Sequence, residues 1–557
     1  MPYPDLRKIV KMMIETRDKA VVIILSLLFS GMVLGTHFVE RLFPVLPISL
    51  IASMGVIVLF YLKGGKLIVP ILLVGFVTAL HLSWTTQFGA SVMRTDPDRI
   101  ALWTQSVIES GSSDTINNYS SFYGSAPIMF LLGAIVAIVL DISAPVANIL
   151  WPIATAFALP TTTSAIVWRL WDDTDASLVA GVFAATFTHT HMYSFGALPQ
   201  TISVYFWAGF LLVGLLLTTM AIGRHTGLLL LGLFFISSVF SHKISVFIMM
   251  SAFAAVVLAI TILRLIGKRN RDALPLTRSF TMISAISALL LAVQWEHITG
   301  YTERAIARIL AIGGSPSGLD TAEPTAAVAL NGDPYSLIAY SMQIVVGLAI
   351  AGICWLYLSL TEYDRNGVVY ILVICAVVVA MAIGAIFAPV ANGRIHFFAE
   401  PLLAVIIAGT LIVKIGPRKS FVAIAILAFI SVQLFAAPAT PDYPNTSQSY
   451  LEQTDVEAKS WGETHADTVH TDHRYKQKIL IENIEALDNP DVYQSYNESI
   501  FDGEIHDDHS CAAYRDNADD IHAGPAGTYQ LTWDLETELQ SEFSQIYSNT
   551  DVRQYCR

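Results

Sequence analysis

Charge is scarce in this 557-residue chain: Asp, Glu, Lys and Arg make up 14% of it against 54% hydrophobic residues. A mean hydropathy of +0.57 excludes an ordinary water-soluble domain. Cysteine is also rare, at four residues, and no paired-Cys zinc site occurs. There is no Gly-rich phosphate loop, which argues against an ATP-driven machine. There is no nucleophile elbow, no basic patch for nucleic acid and no internal repeat. Nothing in the sequence requires a cofactor or a metal.

What the chain has in abundance is long apolar runs. A hydrocarbon core of ~30 Å needs roughly 20 apolar residues per helical span. Fourteen runs approach that length, near 20–38, 45–62, 67–85, 127–141, 148–168, 177–195, 202–222, 226–240, 244–263, 280–295, 337–358, 368–388, 398–413 and 420–437. The first follows Arg7, Lys8, Lys11, Arg17 and Lys19 without a small-residue cleavage site, so it reads as a retained span with a cytoplasmic N-terminus. Lys and Arg in loops mark the cytoplasmic side. They cluster at Lys63 and Lys66, at Arg264 to Arg278, and at Lys414, Arg418 and Lys419. Fourteen full crossings would put the 264–279 loop outside, so one run does not cross and about thirteen do. The region 127–195, with Pro152, Pro160, Arg169, Asp172, Asp173 and Asp175, is where a re-entrant or broken helix is expected. The external parts are then 86–126, 196–201, 296–336, 389–397 and everything after 437.

The fold class is therefore mainly α, a polytopic transmembrane bundle over 1–437 followed by a small extracytoplasmic α/β domain over 438–557. That tail carries the acidity: 24 Asp or Glu against 7 Lys or Arg. Trp461, Ile479, Leu480, Ile481, Val492, Tyr493, Leu531, Trp533, Phe543, Ile546 and Tyr547 are too many apolar anchors for disorder. Its surface charge suits a salt-rich exterior. Cys354 and Cys375 fall inside spans and read as apolar packing. Cys511 and Cys556 lie in the external domain, where the compartment permits a disulfide that the spacing does not fix. Sequons at Asn118, Asn445 and Asn497 all fall in external segments.

Candidate functional residues gather at the external membrane boundary. In Arg94-Thr95-Asp96-Pro97-Asp98-Arg99, two carboxylates stand two residues apart. They form either a turn and cap for the amphipathic stretch Ile100 to Ile108, or a general base for a sugar hydroxyl. His189, His191, Tyr193 and Gln200 end the sixth run. His189 and His191 are i, i+2 and do not share a helical face, which disfavours a metal pair. His242 and Lys243 either snorkel at the interface or meet a lipid phosphate. Arg394 opens a span from outside, against the positive-inside tendency, with His396 and Glu400 close behind. Its partner is a phosphate, a lipid headgroup or Glu400. Glu296, His297, Glu303, Arg304 and Arg308 form either a lid or ordinary helical surface.

This order of features resembles the GT-C membrane glycosyltransferases, which include lipid A aminoarabinose transferases, protein mannosyltransferases and oligosaccharyltransferase catalytic subunits. The resembling stretches are Asp96 through Pro127, with Tyr123-Gly124-Ser125-Ala126-Pro127; Trp168-Arg169-Leu170 with the small-residue run Ala176 to Ala185; and Gly393 through Pro401. In the tail they are Ala458-Lys459-Ser460-Trp461, Thr471-Asp472 and Ile546-Tyr547-Ser548-Asn549. Among members of the group, the chain looks most like halophilic archaeal enzymes that use dolichyl-phosphate sugars. The resemblance implies inverting transfer of a sugar on the outer face, with Asp96 as base, Asp98 in reserve, and Arg394 neutralising the departing phosphate. His242 and Lys243 would assist at that phosphate, while His191, Gln200 and His396 would position acceptor or donor. The tail lacks a Trp-Trp-Asp block, so a single hexose, mannose by preference, fits better than en bloc glycan transfer to Asn.

The partners implied are a polyprenyl or dolichyl phosphate sugar, a lipid-linked glycan or glycoprotein acceptor, and membrane lipid. The location implied is the archaeal cell surface. The competing readings are a secondary transporter or flippase of lipid-linked glycans and a surface-polysaccharide ligase. A transporter should show paired halves with broken helices near the midplane. A ligase should carry a large late external loop rich in Arg and His, whereas 296–336 holds two Arg and one His.

Overall fold

The structure is a computed structural model. It describes residues 95–119, 121–124, 126–187, 189–190, 198–265, 334–386, 392–413, 453–472, 475, 492–496, 510–515, 520–522, 528–530, 534–549 and 552–557, with isolated positions 281, 285 and 289. The apolar runs at 20–38, 45–62, 67–85 and 420–437 lie outside them, as does nearly all of 280–295.

Helices α1 (Thr95–Ser110), α2 (Asp114–Tyr119), α3 (Ser121–Gly124) and α4 (Ile128–Leu140) come first. The bundle continues with α5 (Ala144–Trp171), α6 (Thr174–Thr186), α7 (Pro199–Thr218), α8 (Arg224–Val239), α9 (Lys243–Leu265), α10 (Pro334–Thr361), α11 (Asn366–Ile386) and α12 (Asn392–Leu411). Among the described residues, five helices are long and apolar enough to cross a membrane. Boundaries follow local chemistry. The Asp173 carboxylate caps α6 by accepting from Ala176 N–H at 2.8 Å, and Pro at the start of α7 costs no hydrogen bond.

Contacts sort the helix ends into two groups. At one end, Ile128 N–H donates to the Phe240 carbonyl (3.0 Å) and the Thr155 hydroxyl to the Thr201 carbonyl (3.1 Å). Ser203, Ser238 and Ser245 join their hydroxyls at the same level. At the opposite end, Arg365 donates to the Leu170 carbonyl and Arg169 Nε to the Thr219 hydroxyl (3.3 Å), while Gly409 admits the Trp171 indole. An added Cβ at Gly409 would collide with that ring, so glycine allows the close helix approach that apolar packing in lipid favours. Between Thr155 and Trp171, then, α5 runs from the first end to the second. Helix α6 returns, α7 runs forward, α8 returns, and α12 runs parallel to α7.

The run at 127–141 behaves differently. Helix α4 and the first half of α5 form a hairpin in which Gly133 faces Asn148, and Asn148 donates to the Thr104 hydroxyl of α1 (3.0 Å). The hairpin leaves and regains the same end of the bundle, since Ile128 and Thr155 share that level. Ile135, Ile138, Val139 and Leu140 of α4, with Val146 and Leu150 of α5, remain exposed on it. Trp103, Tyr123 and Phe130 stack into its inner side, with ring centroids 5.1 to 6.2 Å apart.

The C-terminal part is the small α/β unit that the tail's apolar anchors imply. Helix α13 (Gln453–His465) precedes β1 (Val469–Thr471), β2 (Tyr493–Ser495) and β3 (Cys511–Arg515). Then follow β4 (Asp520–His522), β5 (Thr528–Gln530), α14 (Leu535–Glu542), β6 (Ser544–Ser548) and β7 (Val552–Cys556). The five-stranded sheet runs β2-β1-β3-β7-β6, and β4 pairs β5 apart from it. Lys459 and Asp472, in the tail stretches that carry the family resemblance, are buried structural groups. Lys459 donates to the Tyr475 carbonyl (2.8 Å), and Asp472 binds the Arg515 guanidinium (2.9 Å) while accepting from Tyr475 N–H. The Asp472 and Asp455 carboxylates outweigh burial and hold Arg515 above its ordinary pKa.

Cys511 and Cys556 are directly opposed in the β3·β7 register and joined as a disulfide across a separation of 45 residues. By loop-closure entropy such a link contributes about 4 kcal/mol. Cys511→Ser in the full chain is expected to make the 453–557 region protease-sensitive at lower denaturant than wild type. Equal resistance in the two proteins would show that the bond adds no stability.

Candidate functional site

The first end of the bundle holds the polar residues that the sequence singles out. Helix α12 begins at Asn392, six residues earlier than its apolar run at 398–413, so Arg394, His396 and Glu400 all lie on one helix. Positions 396 and 400 are one turn apart and share a face, as do 394 and 398.

Glu400 is 4% exposed, yet every bond it makes is specific. Its Oε1 accepts from His189 N–H (3.0 Å) and from His189 Nδ1 (2.8 Å). Its Oε2 accepts from Thr190 N–H (2.6 Å) and from the Thr190 hydroxyl (2.8 Å). A carboxylate only accepts, so His189 carries its proton on Nδ1. The pairing corrects one of the readings open for Arg394: the carboxylate on its own helix is engaged by the segment after α6 and does not neutralise the guanidinium. His396, also 4% exposed, stacks on His189 with centroids 4.8 Å apart, and its Nε2 is buried without a hydrogen bond.

A second contact sets α7 against α12. Trp207, fully buried, donates its indole N–H to the Phe398 carbonyl (3.0 Å). Helical repeat then fixes what lies above. Gln200 is two turns before Trp207 on the same face of α7, and Arg394 is one turn before Phe398 on the same face of α12. Both lie in the first turn of their helices at this end of the bundle. Gln200 is 4% exposed and Arg394 half-buried, and among the described residues neither side chain has a hydrogen-bond or ion-pair partner.

Other candidates are placed less directly. Asp96 and Asp98 lie in the first turn of α1, which starts at Thr95 instead of after the Pro97 turn, and their side chains fall outside the described residues. The amphipathic stretch they precede is helical, with Ile100, Ala101, Leu102, Trp103 and Val107 buried. His242 is buried, and its Nδ1 accepts from Ile244 N–H (3.3 Å), a bond that caps the start of α9. Lys243 opens α9 with its side chain outside the described residues. His191 and the 296–336 loop lie largely outside them as well. No cluster of metal-ligating side chains occurs among the described residues. Sequence reasoning noted Glu400 only as a possible partner for Arg394 and missed its role. The signal was present in His189-Thr190, two donors in a row at a helix end, but the segment they face is 211 residues away.

No protein-family model matches the chain, and no curated protein sequence matches it. Several solved structures are similar to it. An oligosaccharyltransferase from Archaeoglobus fulgidus in complex with zinc and sulfate is 14% identical at a TM-score of 0.44, over 72% of this chain and 60% of its own. AglB of that organism, with an inhibitory peptide and a dolichol-phosphate, is 13% identical at 0.47, over 76% of this chain and 64% of its own. The chain thus spans less than two thirds of the archaeal proteins' length. ArnT from Cupriavidus metallidurans bound to undecaprenyl phosphate is 9% identical at 0.47, over 87% of this chain and 97% of its own.

Trp207→Phe keeps an aromatic ring but leaves the Phe398 carbonyl without its side-chain donor. It is expected to cost about 1–2 kcal/mol, read as a lower unfolding temperature in detergent. An unchanged transition would show that the bond does not seat α12.

Proposed function

We propose that this chain is a membrane glycosyltransferase of the GT-C type, which takes a sugar from a polyprenyl-phosphate carrier at the outer membrane face. The observation that carries the reading is Arg394. It is a half-buried cation at the start of an apolar helix, and among the described residues it has no counter-charge because Glu400 is engaged elsewhere. Arg in that setting calls for an anion, and its planar fork suits a phosphate. The partner-free Gln200 amide on the facing helix adds a donor for a phosphate or sugar oxygen.

Orientation follows from charge. Arg169, Arg224 and Arg365 sit at the end opposite the site, and the basic loops after α9 and α12 leave from that end, which makes it cytoplasmic. The site end is then external. The α4–α5 hairpin is the run that does not cross, and the remaining runs make thirteen crossings with the disulfide-linked domain outside.

In this reading Asp96, or Asp98 beside it, receives the proton of an acceptor hydroxyl. The acceptor oxygen bonds to the anomeric carbon from the face opposite the phosphate. The anomeric C–O bond breaks, and its electron pair goes to the phosphate oxygen, where Arg394 balances the growing charge. The transferred sugar is a single hexose, with mannose the preferred choice, and the acceptor is a lipid-linked glycan or a glycoprotein. His242 serves as a helix cap near the site, and Lys243 is available to a lipid phosphate.

Purified protein in liposomes is expected to transfer hexose from a dolichyl-phosphate donor. Arg394→Ala should lower kcat/KM by about a hundredfold or more, and Asp96→Asn should lose turnover while still binding donor. No transfer by wild type, or full activity in both variants, would rule out the assignment.

For orientation, Glu109→Cys should react with an impermeant maleimide on intact cells, and Met220→Cys only after permeabilisation. The opposite pattern would invert the topology.

A further inference from the structure

The bonds of Glu400 join two segments that each hold half of the site. Helix α12 carries Arg394 and His396, while the connector from Phe187 to Leu198 carries His189 and Thr190 and leads directly into Pro199 and Gln200. Two of its four bonds go to backbone N–H groups, which no side-chain change in the connector can replace. The other two fix the His189 ring and the Thr190 hydroxyl. The oriented His189 ring is the surface on which His396 stacks, two residues from Arg394. Just below, Trp207 ties α7 to α12 through Phe398. His189 and Thr190 on one side and α7 on another therefore fasten α12 at two levels, Glu400 and Phe398, within two turns of Arg394.

We infer that Glu400 is a positioning residue: by holding His189 and Thr190 on α12 it fixes the turns of that helix that present Arg394 to an anion, and the seam where that anion binds lies at this end of α12. The inference rests on the lipid-phosphate reading of that seam. Glu400 does not touch the phosphate. Its charge is occupied by the connector, and that occupation both leaves Arg394 uncompensated and fixes the helix that presents it. A carboxylate serves this role because it accepts from all four donors at once. A carboxamide offers a single acceptor oxygen and would set its NH2 against N–H donors.

Two measurements on the full-length protein in detergent separate the parts of this inference. Hydrogen exchange of peptides covering 187–198 reads the clamp without any ligand. In Glu400→Gln the His189 and Thr190 amides should exchange at least tenfold faster than in wild type, and unchanged exchange would overturn the clamp. Binding of undecaprenyl monophosphate reads the coupling. Glu400→Gln should weaken it about tenfold. In an Arg394→Ala background the same substitution should change it less than twofold, because residues acting through one site are not additive. Equal losses in both backgrounds would mean that Glu400 has only a structural role, and unchanged binding beside faster exchange would overturn positioning. If Glu400→Gln does not fold, Thr190→Val, which removes one of the four bonds, takes its place with a smaller effect of the same pattern. If wild type binds no polyprenyl phosphate, the lipid-phosphate reading fails, while the exchange result still decides the clamp.

Discussion

A single buried carboxylate organises the end of the bundle that holds the candidate site. Taking a charge out of water is costly unless several donors surround it, and Glu400 has four, all supplied by two consecutive residues. The bonds close a contact between segments 211 residues apart. They also decide the electrostatics of the neighbourhood. With Glu400 bonded to His189 and Thr190, the Arg394 guanidinium is not matched by the carboxylate on its own helix. The stacked imidazoles of His189 and His396 extend the same arrangement, the first oriented by the carboxylate and the second oriented by the first.

Much of the architecture was legible in the sequence because lipid imposes a simple rule. Apolar runs must become helices, and basic loops must stay inside. Eight of the described helices fall on predicted runs from 148–168 through 398–413, with ends shifted by a few residues. The parity argument, that one run in 127–195 does not cross, rests on charge alone and does not name the run. The apolar stretch 128–140 has the composition of a span, and it is the contacts of Ile128 with Phe240 and of Thr155 with Thr201 that bring the two arms of the α4–α5 hairpin to one level. Pro152 and Pro160 pointed to a broken helix in α5, yet α5 is continuous through both.

At the site, legibility stopped where tertiary contact began. Arg394, His396 and Gln200 stood out because polar groups at the edge of apolar runs are conspicuous. Glu400 was visible too, but its partner was assigned from proximity in sequence, and helical geometry disfavours that choice: positions 394 and 400 are six apart and point away from each other. The same lesson holds in the external domain. Lys459 and Asp472 sit in tail stretches that carry the family resemblance, and only their bonds to Tyr475 and Arg515 reveal them as parts of the core. The Cys511–Cys556 pair needed a register that no spacing supplies.

Strand β7 lies between β3 and β6, so β6 joins the sheet only once residues 552–556 are in place. During biosynthesis β1, β2 and β3 can pair with one another first. The sheet is completed when β7 is laid between β3 and β6, and Cys556 meets Cys511 at that moment. A strongly acidic tail is suited to that wait, since mutual repulsion keeps an unfolded chain from collapsing onto its neighbours before the final strand arrives.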